Sequence, residues 1–530
     1  MKTSHNEYQG SVFSGQDHYN IEAQVKAFAD AEREKLGITE KPKQWFDPAP
    51  GLFTKSQRPH TTLLFNNITI MHDKLAEAGL ASLGYNMRVL DEPDNEALRL
   101  GKEFGNRGQC NPTHYLSGNL IKYLEHLHHD KGLSKQEIVD SHILMTAGAC
   151  GPCRFGMYKT ENRKSLRDSG YDGFRIVFFQ NALNLKQGTE EAGLSLTPKF
   201  FITIIKSLLA GDVINAMAYR IRPYEVVAGS TNEAIAACKE IMCHALRNKK
   251  SVLVALYKCR KVLNKVGVNR LQPKPKVSII GEFWAMTTEG DGNYHLQKFL
   301  ESEGAEVDVQ MVTAWIMYKI WEFEYDLRQR MLLRRSQPDL QPLVKNPMKS
   351  LVLIKLAKKI MTFSFGMFAR AIGLSGYHLP DMEENARLSH EYYSNELRGG
   401  EGHMEVGKLI QIYKHKKANL VISVKPFGCM PSSGVSDGIQ SKVTARYPEA
   451  NFLPIETSGD GAVNVYSRIQ MALFRAKATA KEEFETAIKQ SSKSKTTLFD
   501  QGKKQFSRGT AYPAHIVSST AANVIYDLAG

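Results

Sequence analysis

Apolar runs of strand length alternate with helix-period stretches twice along this chain, and that alternation leaves few folds open to it. In the first pass Thr61–Ile70 predicts a buried strand, Met71–Leu83 a helix closed by Gly84, and Asn86–Leu90 a second strand. Leu116, Leu120, Tyr123, Leu124 and Leu127 fall on one helix face. Ser141–Thr146 and Phe174–Phe179 read as further strands. The second pass opens with a strand at Val277–Gly281, followed by a helix over Asn293–Ser302 ended by Gly304 and a strand over Val307–Val312. Leu420–Val424 and Phe452–Ile455 return to strand, and Asn464–Lys481 predicts a long closing helix. Such alternation implies parallel sheets with helices on both faces, so the expected fold class is α/β.

The intervening stretches are helical. Thr197–Leu209, Thr231–Asn248 and Val252–Val266 have helical period, and Thr197 before Pro198 suits an N-cap and first helical position. The expected organisation is an N-terminal extension over 1–58 that wraps over a domain, then a first α/β domain over 59–181. A helical region over 182–272 follows, then a second α/β domain over 273–485 with a helical insert over 314–398. A Lys/Ser-rich, irregular tail covers 486–530. Within the insert, Ser350–Gly373 is apolar but interrupted by Lys355, Lys358, Lys359 and Arg370. It reads as a basic amphipathic helix, with either a solvated basic face or a face for a membrane surface.

At 530 residues the chain exceeds one ordinary core. Its 42% hydrophobic and 23% charged residues describe a soluble globular protein. Met1–Asn20 lacks an apolar secretory core. No uninterrupted apolar run reaches the ~18 residues of a spanning helix. The expected location is cytoplasmic, with no membrane span. The formal charge of +14 would attract an anionic partner. The absence of zinc-finger spacing, an RNP-like aromatic motif or a long Arg run argues against nucleic acid.

Seven cysteines in a chain without a secretory leader point to reduced thiols, for metal binding or burial. Three segments share a Gly/Pro-rich character: Gln109-Cys-Asn-Pro-Thr-His114, Ala149-Cys-Gly-Pro-Cys-Arg-Phe-Gly156 and Pro426-Phe-Gly-Cys-Met-Pro431. The last two follow predicted strands, at the carboxyl-end crevice where open α/β sheets bind ligands. Cys110, Cys150, Cys153 and Cys429 suffice for a [4Fe–4S] cluster or tetrahedral zinc. A dithiol redox pair at Cys150 and Cys153, or inert cysteines, are the other readings. Cys238, Cys243 and Cys259 lie in helical patterns and read as buried. His114 and Arg154 flank the cysteines and could donate to a cluster sulfide, an anion or a local turn. His126, His128 and His129 read as solvated helix-end residues. The paired turns Glu289-Gly-Asp-Gly292 and Ser458-Gly-Asp-Gly461 could offer N–H groups to an anion or be plain turns. There is no Gly-x-x-x-x-Gly-Lys-Ser/Thr loop and no Gly-x-Gly-x-x-Gly dinucleotide turn.

The order Cys-x-Pro-x-His, Gly-Pro-Cys-Arg-Phe-Gly, Gly281-Glu-Phe-Trp with Asn293, then Pro-Phe-Gly-Cys-Met-Pro resembles the 2-hydroxyacyl-CoA dehydratase superfamily. It is most similar to the cluster-binding half of the large CoA-substrate-specific activases, with related benzoyl-CoA reductase and double-cubane cluster proteins. The similarity runs from about Thr61 to Lys481. It implies paired flavodoxin-like domains, a cluster held by Cys110, Cys150, Cys153 and Cys429, and accessory roles for Glu282 and Asn293 beside it. It further implies low-potential electron transfer or reduction, in an anaerobic cytoplasm, with electrons from an ATP-hydrolysing activase. That activase would be a separate partner, since this chain lacks a Gly-rich phosphate loop. An (R)-2-hydroxyacyl-CoA dehydratase subunit, a lyase using a ketyl radical on an acyl-CoA, is the alternative within the resemblance. Four cysteines rather than three imply a saturated cluster and argue against it. A double cubane, or zinc in a non-enzymatic interaction protein, are the further alternatives, and a homo- or hetero-oligomer is expected.

Overall fold

The computed structural model describes residues 27–28, 30–37, 53–66, 68–148, 153–179, 193–397 and 400–529. Met1–Ala49 and Pro50–Gly530 are separate compact units. In the first, residues 27–28 and 30–35 are helical. The second unit holds both β-sheets and the helices around them.

Two four-stranded sheets, parallel throughout, organise that unit. The first contains β1 (Thr62–Phe65), β2 (Asn86–Val89), β3 (His142–Ala147) and β4 (Arg175–Phe179), in the order β2-β1-β3-β4. The second contains β5 (Lys276–Gly281), β6 (Glu306–Val309), β7 (Leu420–Pro426) and β8 (Phe452–Thr457), in the order β6-β5-β7-β8. Each is the flavodoxin-like arrangement, in which the strand order reverses beside the first strand. The burial patterns follow from position. Central β7 is buried at all seven residues and β3 at five of six, because helices cover both faces. Edge strand β2 alternates exposed and buried.

Several element bounds differ from those expected, for local reasons. The first strand ends at Phe65 because the Thr69 side chain accepts from His72 N–H and starts a helix at Ile70. Val312 likewise begins a helix rather than ending β6, and Asn293 lies in a 3-10 turn before the Leu296–Ser302 helix. The helix expected over Leu116–Leu127 runs from Asn111 to His129, with Pro112 in its first turn.

The two helical stretches, separate in sequence, form one core. Leu209, Ile214 and Met217 of Pro198–Ile221 pack with Met317 and Trp321 of Val312–Ser336 and with Phe365 and Phe368 of Pro347–Ile372. Cys238, Cys243 and Cys259 lie inside this core. Asp212 ties the stretches together by accepting from Val312 N–H and Thr313 N–H, both at 2.8 Å. Among the described residues one helix, Pro198–Tyr224, is long and apolar enough to cross a membrane, and half of its apolar window is buried inside the protein.

The tail is a correction. Instead of irregular chain, it forms helices over Lys495–Gln505 and Thr520–Ala529. Ala521, Val524, Ile525 and Leu528 recur at helical spacing and pack on Leu271 and Phe484.

A buried carboxylate fastens this tail to the second sheet. Glu306, at the start of β6, accepts from Tyr224 Oη at 3.0 Å, Tyr512 Oη at 2.6 Å and Thr520 Oγ1 at 2.5 Å. Lys276 Nζ stands 3.2 Å away. Burial opposes its charge, but Lys276 and these hydroxyls win, and the carboxyl is held at about 2, below its ordinary 4.5. A depressed folded pKa stabilises above the unfolded value and loses that stabilisation as pH falls toward 2. Glu306→Gln leaves Lys276 buried without a counter-charge, so denaturant melts at pH 7 should show a loss of about 3–5 kcal/mol. The gap between variant and parent should narrow steadily as the melts are repeated from pH 5 downward; a constant gap would contradict this account.

Candidate functional site

The carboxyl ends of the two sheets meet, and their loops hydrogen-bond to one another. Asn111 N–H donates to Phe427 O at 3.0 Å, and its side-chain amide donates to Thr457 O at 2.8 Å. Asn95 N–H donates to Asp291 Oδ2, and Ile70 N–H to Glu289 Oε2, both at 2.9 Å. The seam therefore joins loops after β7 and β8 to the loop before the Asn111 helix, and the loops around β1 and β2 to the one after β5.

Cys110, Cys153 and Cys429 all lie along this seam, and each occupies the same local position. Cys110 is the N-cap of the Asn111–His129 helix, Cys153 of the Arg154–Met157 turn that leads into Tyr158–Asp168, and Cys429 of the Met430–Gly434 helix. A helix start presents unpaired N–H groups and positive partial charge, which favour a thiolate or any anion bound there. Cys153 and Cys429 follow the third strand of their respective sheets, beside the point where strand order reverses. Cys150 lies outside the described residues.

The cysteine loops approach closely. Gly428 has φ +80°, and a Cβ there would meet Gln109 O at 3.0 Å and Cys110 Cα at 3.1 Å. Arg154 Nε donates to Gly428 O at 3.3 Å, linking the Cys153 segment to the Cys429 loop. Cys110 Sγ lies 3.2 Å from Thr113 Oγ1 and 3.8 Å from Tyr158 Oη. Among the described residues no three His, Cys, Asp or Glu side chains converge on a single-ion position.

Carboxyl groups share this environment with the thiols. Glu282 follows β5, caps the Phe283–Thr287 helix by accepting from Ala285 N–H at 2.8 Å, and is close enough for its charge to act on all three described cysteines. Glu401 accepts from Trp315 Nε1 at 2.9 Å, and Glu405 from Ser432 Oγ at 2.7 Å. Burial pushes the Glu405 carboxyl up to about 8, against the pull of Ser432. Burial, reinforced by Glu401, raises Glu282 as well, and burial raises Glu401. Burial also pushes the Cys153 thiol up to about 12 and raises Cys110 and Cys429. In each case a helix-start N–H, of Thr113, Phe155 or Ser432, partly offsets that rise. A bound cation would reverse the balance and hold the thiols as thiolates.

The remaining expected residues divide. His114 Nδ1 bonds Gly101 O at 3.0 Å and braces two helices. Asn293 spends its amide on Ala285 O at 2.9 Å and Thr288 O at 2.7 Å, so it shapes the loop after β5 rather than facing the thiols. Sequence reasoning missed Glu401 and Glu405. Their signal was an i, i+4 carboxylate pair behind the Gly399-Gly400 dipeptide. The Gly-Asp-Gly turns serve the chain itself. Ser458, Gly459 and Gly461 N–H groups converge on Tyr294 Oη at 2.9, 3.1 and 3.3 Å.

The donor set fits a thiolate-bound centre: thiols at helix starts, Gly428 where the loops touch, and buried polar atoms left over. Trp284 Nε1, packed with Cys110, and Glu405 Oε2 have no hydrogen-bond partner among the described residues. No model of a known protein family matches this chain, and no curated protein matches it.

Gly428→Ala should separate the two cysteine loops and lower stability by about 1–3 kcal/mol, since both its φ and its space are wrong for a side chain. Gly434→Ala, in open space within the next helix, should be neutral or slightly stabilising. Equal thermal shifts for the two variants would rule out the proposed loop contact as the cause.

Proposed function

We propose that Cys110, Cys150, Cys153 and Cys429 hold an iron–sulfur cluster, and that the chain serves low-potential electron transfer or reduction in an anaerobic cytoplasm. The observation that carries this reading is that three cysteines, drawn from segments up to 319 residues apart, each sit at a helix start along one seam. The motif order that resembles the 2-hydroxyacyl-CoA dehydratase superfamily supports the same assignment. Electrons would come from a separate ATP-hydrolysing activase, and the formal charge of +14 suits an anionic partner.

A [4Fe–4S] cluster supplies a one-electron centre whose potential is set by burial, charge and hydrogen bonds to its sulfurs. Around it the helix-start N–H groups of Thr113, Phe155 and Ser432 would stabilise the negative charge of the thiolates and of the reduced centre. Arg154 ties the Cys153 segment to the Cys429 loop and limits how far the thiols can separate. Glu405, protonated at neutral pH, adjoins the site as a neutral acid instead of adding to its negative charge. Burial of Cys110 and Cys429 keeps water away. A single zinc needs each thiolate about 2.3 Å from one point, and a multi-iron cluster holds them further apart. Zinc in a non-enzymatic interaction protein, or a double cubane, are the other occupants these thiols would suit, and metal content separates them. A second reading, an (R)-2-hydroxyacyl-CoA dehydratase subunit, draws on the buried protonated carboxyls, since loss of hydroxide from an acyl-CoA needs a local acid.

Anaerobic purification should yield a brown protein with about four irons per chain. Cys153→Ser should lose most of that iron, and Cys243→Ala should keep it. A colourless protein with one zinc would defeat the cluster reading. Reduction by an activase and ATP that proceeds equally with and without acyl-CoA marks a carrier; turnover of the acyl-CoA marks the lyase.

A further inference from the structure

We propose that the Pro347–Ile372 helix is an interfacial anchor that lays its outer face on an anionic phospholipid surface. The helix has two faces of different character. Ile354, Met361, Phe365, Phe368 and Ile372 are buried and fix its orientation on the helical core. The opposite face is not polar, as a solvated helix surface would be. Met348, Val352, Leu356, Ile360 and Phe363 are 51–64% exposed and follow one another at spacings of three or four residues. Lys349, Lys355 and Lys359 are exposed on the same side of the helix, while Lys358 is turned to Glu324 and Glu383.

Charge decides among the surfaces that could cover this face. Arg328–Ile372 contains ten Lys or Arg against one Asp, a formal +9 of the chain's +14. A second copy of the chain would bring its own Lys349, Lys355 and Lys359 against these lysines and be repelled. A nucleic acid would pair with the lysines but leave five large apolar side chains pressed against phosphate. A bilayer with acidic headgroups satisfies both halves at once, with acyl chains for the stripe and phosphates for the lysines.

The test is flotation of the full chain with phosphatidylcholine vesicles, with and without phosphatidylglycerol, at low and high salt. The parent protein should float with the mixed vesicles and remain behind with phosphatidylcholine alone. High salt should weaken the binding. Replacing Lys349, Lys355 and Lys359 together by Gln should weaken binding roughly a hundredfold. Leu356→Glu with Phe363→Glu should abolish it and leave the thermal unfolding of the protein unchanged, since both side chains are exposed. A parent that stays behind with the mixed vesicles overturns the proposal and leaves a groove on an acidic protein as the occupant. Flotation of the double Glu variant equal to that of the parent, or equal binding to both vesicle types, also overturns it.

Discussion

Two sheets can face each other at their carboxyl ends only if the loops between them find partners for their own backbone. Buried loop N–H and C=O groups otherwise cost more than the packing returns. Here the residue that solves this is Asn111, whose N–H and side-chain amide reach carbonyls of the loops after β7 and β8. Its place in the first turn of a helix is what frees that N–H, because the first four N–H groups of a helix have no partner inside it. The same geometry that leaves Asn111 able to bond outward places Cys110 at the helix start. Seam and thiol are two outcomes of one helix terminus, and the proposed chemistry draws on both.

The repeated strand–helix alternation was legible because parallel strands covered on both faces are near-continuous apolar runs. Six-residue β3 and seven-residue β7 announce themselves in that way. The helical stretches were legible as helices, but their union was not. That Trp321 and Phe365 pack with Met217 depends on tertiary arrangement, to which periodicity is blind. The tail was misread for a different reason. Its Lys- and Ser-rich beginning hid the later spacing of Ala521, Val524, Ile525 and Leu528, which shows only when the window is moved past it.

At the site, residue type was more legible than residue placement. The cysteine segments looked like loops because of their Gly and Pro. Yet Pro112 and Pro431 stand in the first turns of helices, where proline loses nothing by lacking an N–H. Glu282 was legible as the residue that leaves β5 next to Gly281. Asn293 and His114 looked equally eligible, and nothing in their spacing reveals that their polar atoms are taken up by carbonyls. The Glu401 and Glu405 carboxyls come from the start of the Gly402–Lys414 helix, which packs on Ile280 of β5 and Val421 of β7, a placement that only the assembled sheet defines.

The Tyr294 hydroxyl has a consequence for ligand choice at the second sheet. Three backbone N–H groups from one tight turn form a cradle of the kind that holds phosphate in other proteins. In this chain a phenol from the neighbouring loop fills it, held in turn by Tyr466 Oη bonding Tyr294 O at 2.7 Å. A tethered group competes at an effective concentration of about millimolar or more, without diffusing away. This sheet end thus carries its own resident plug, and a free phosphoryl compound would first have to evict it.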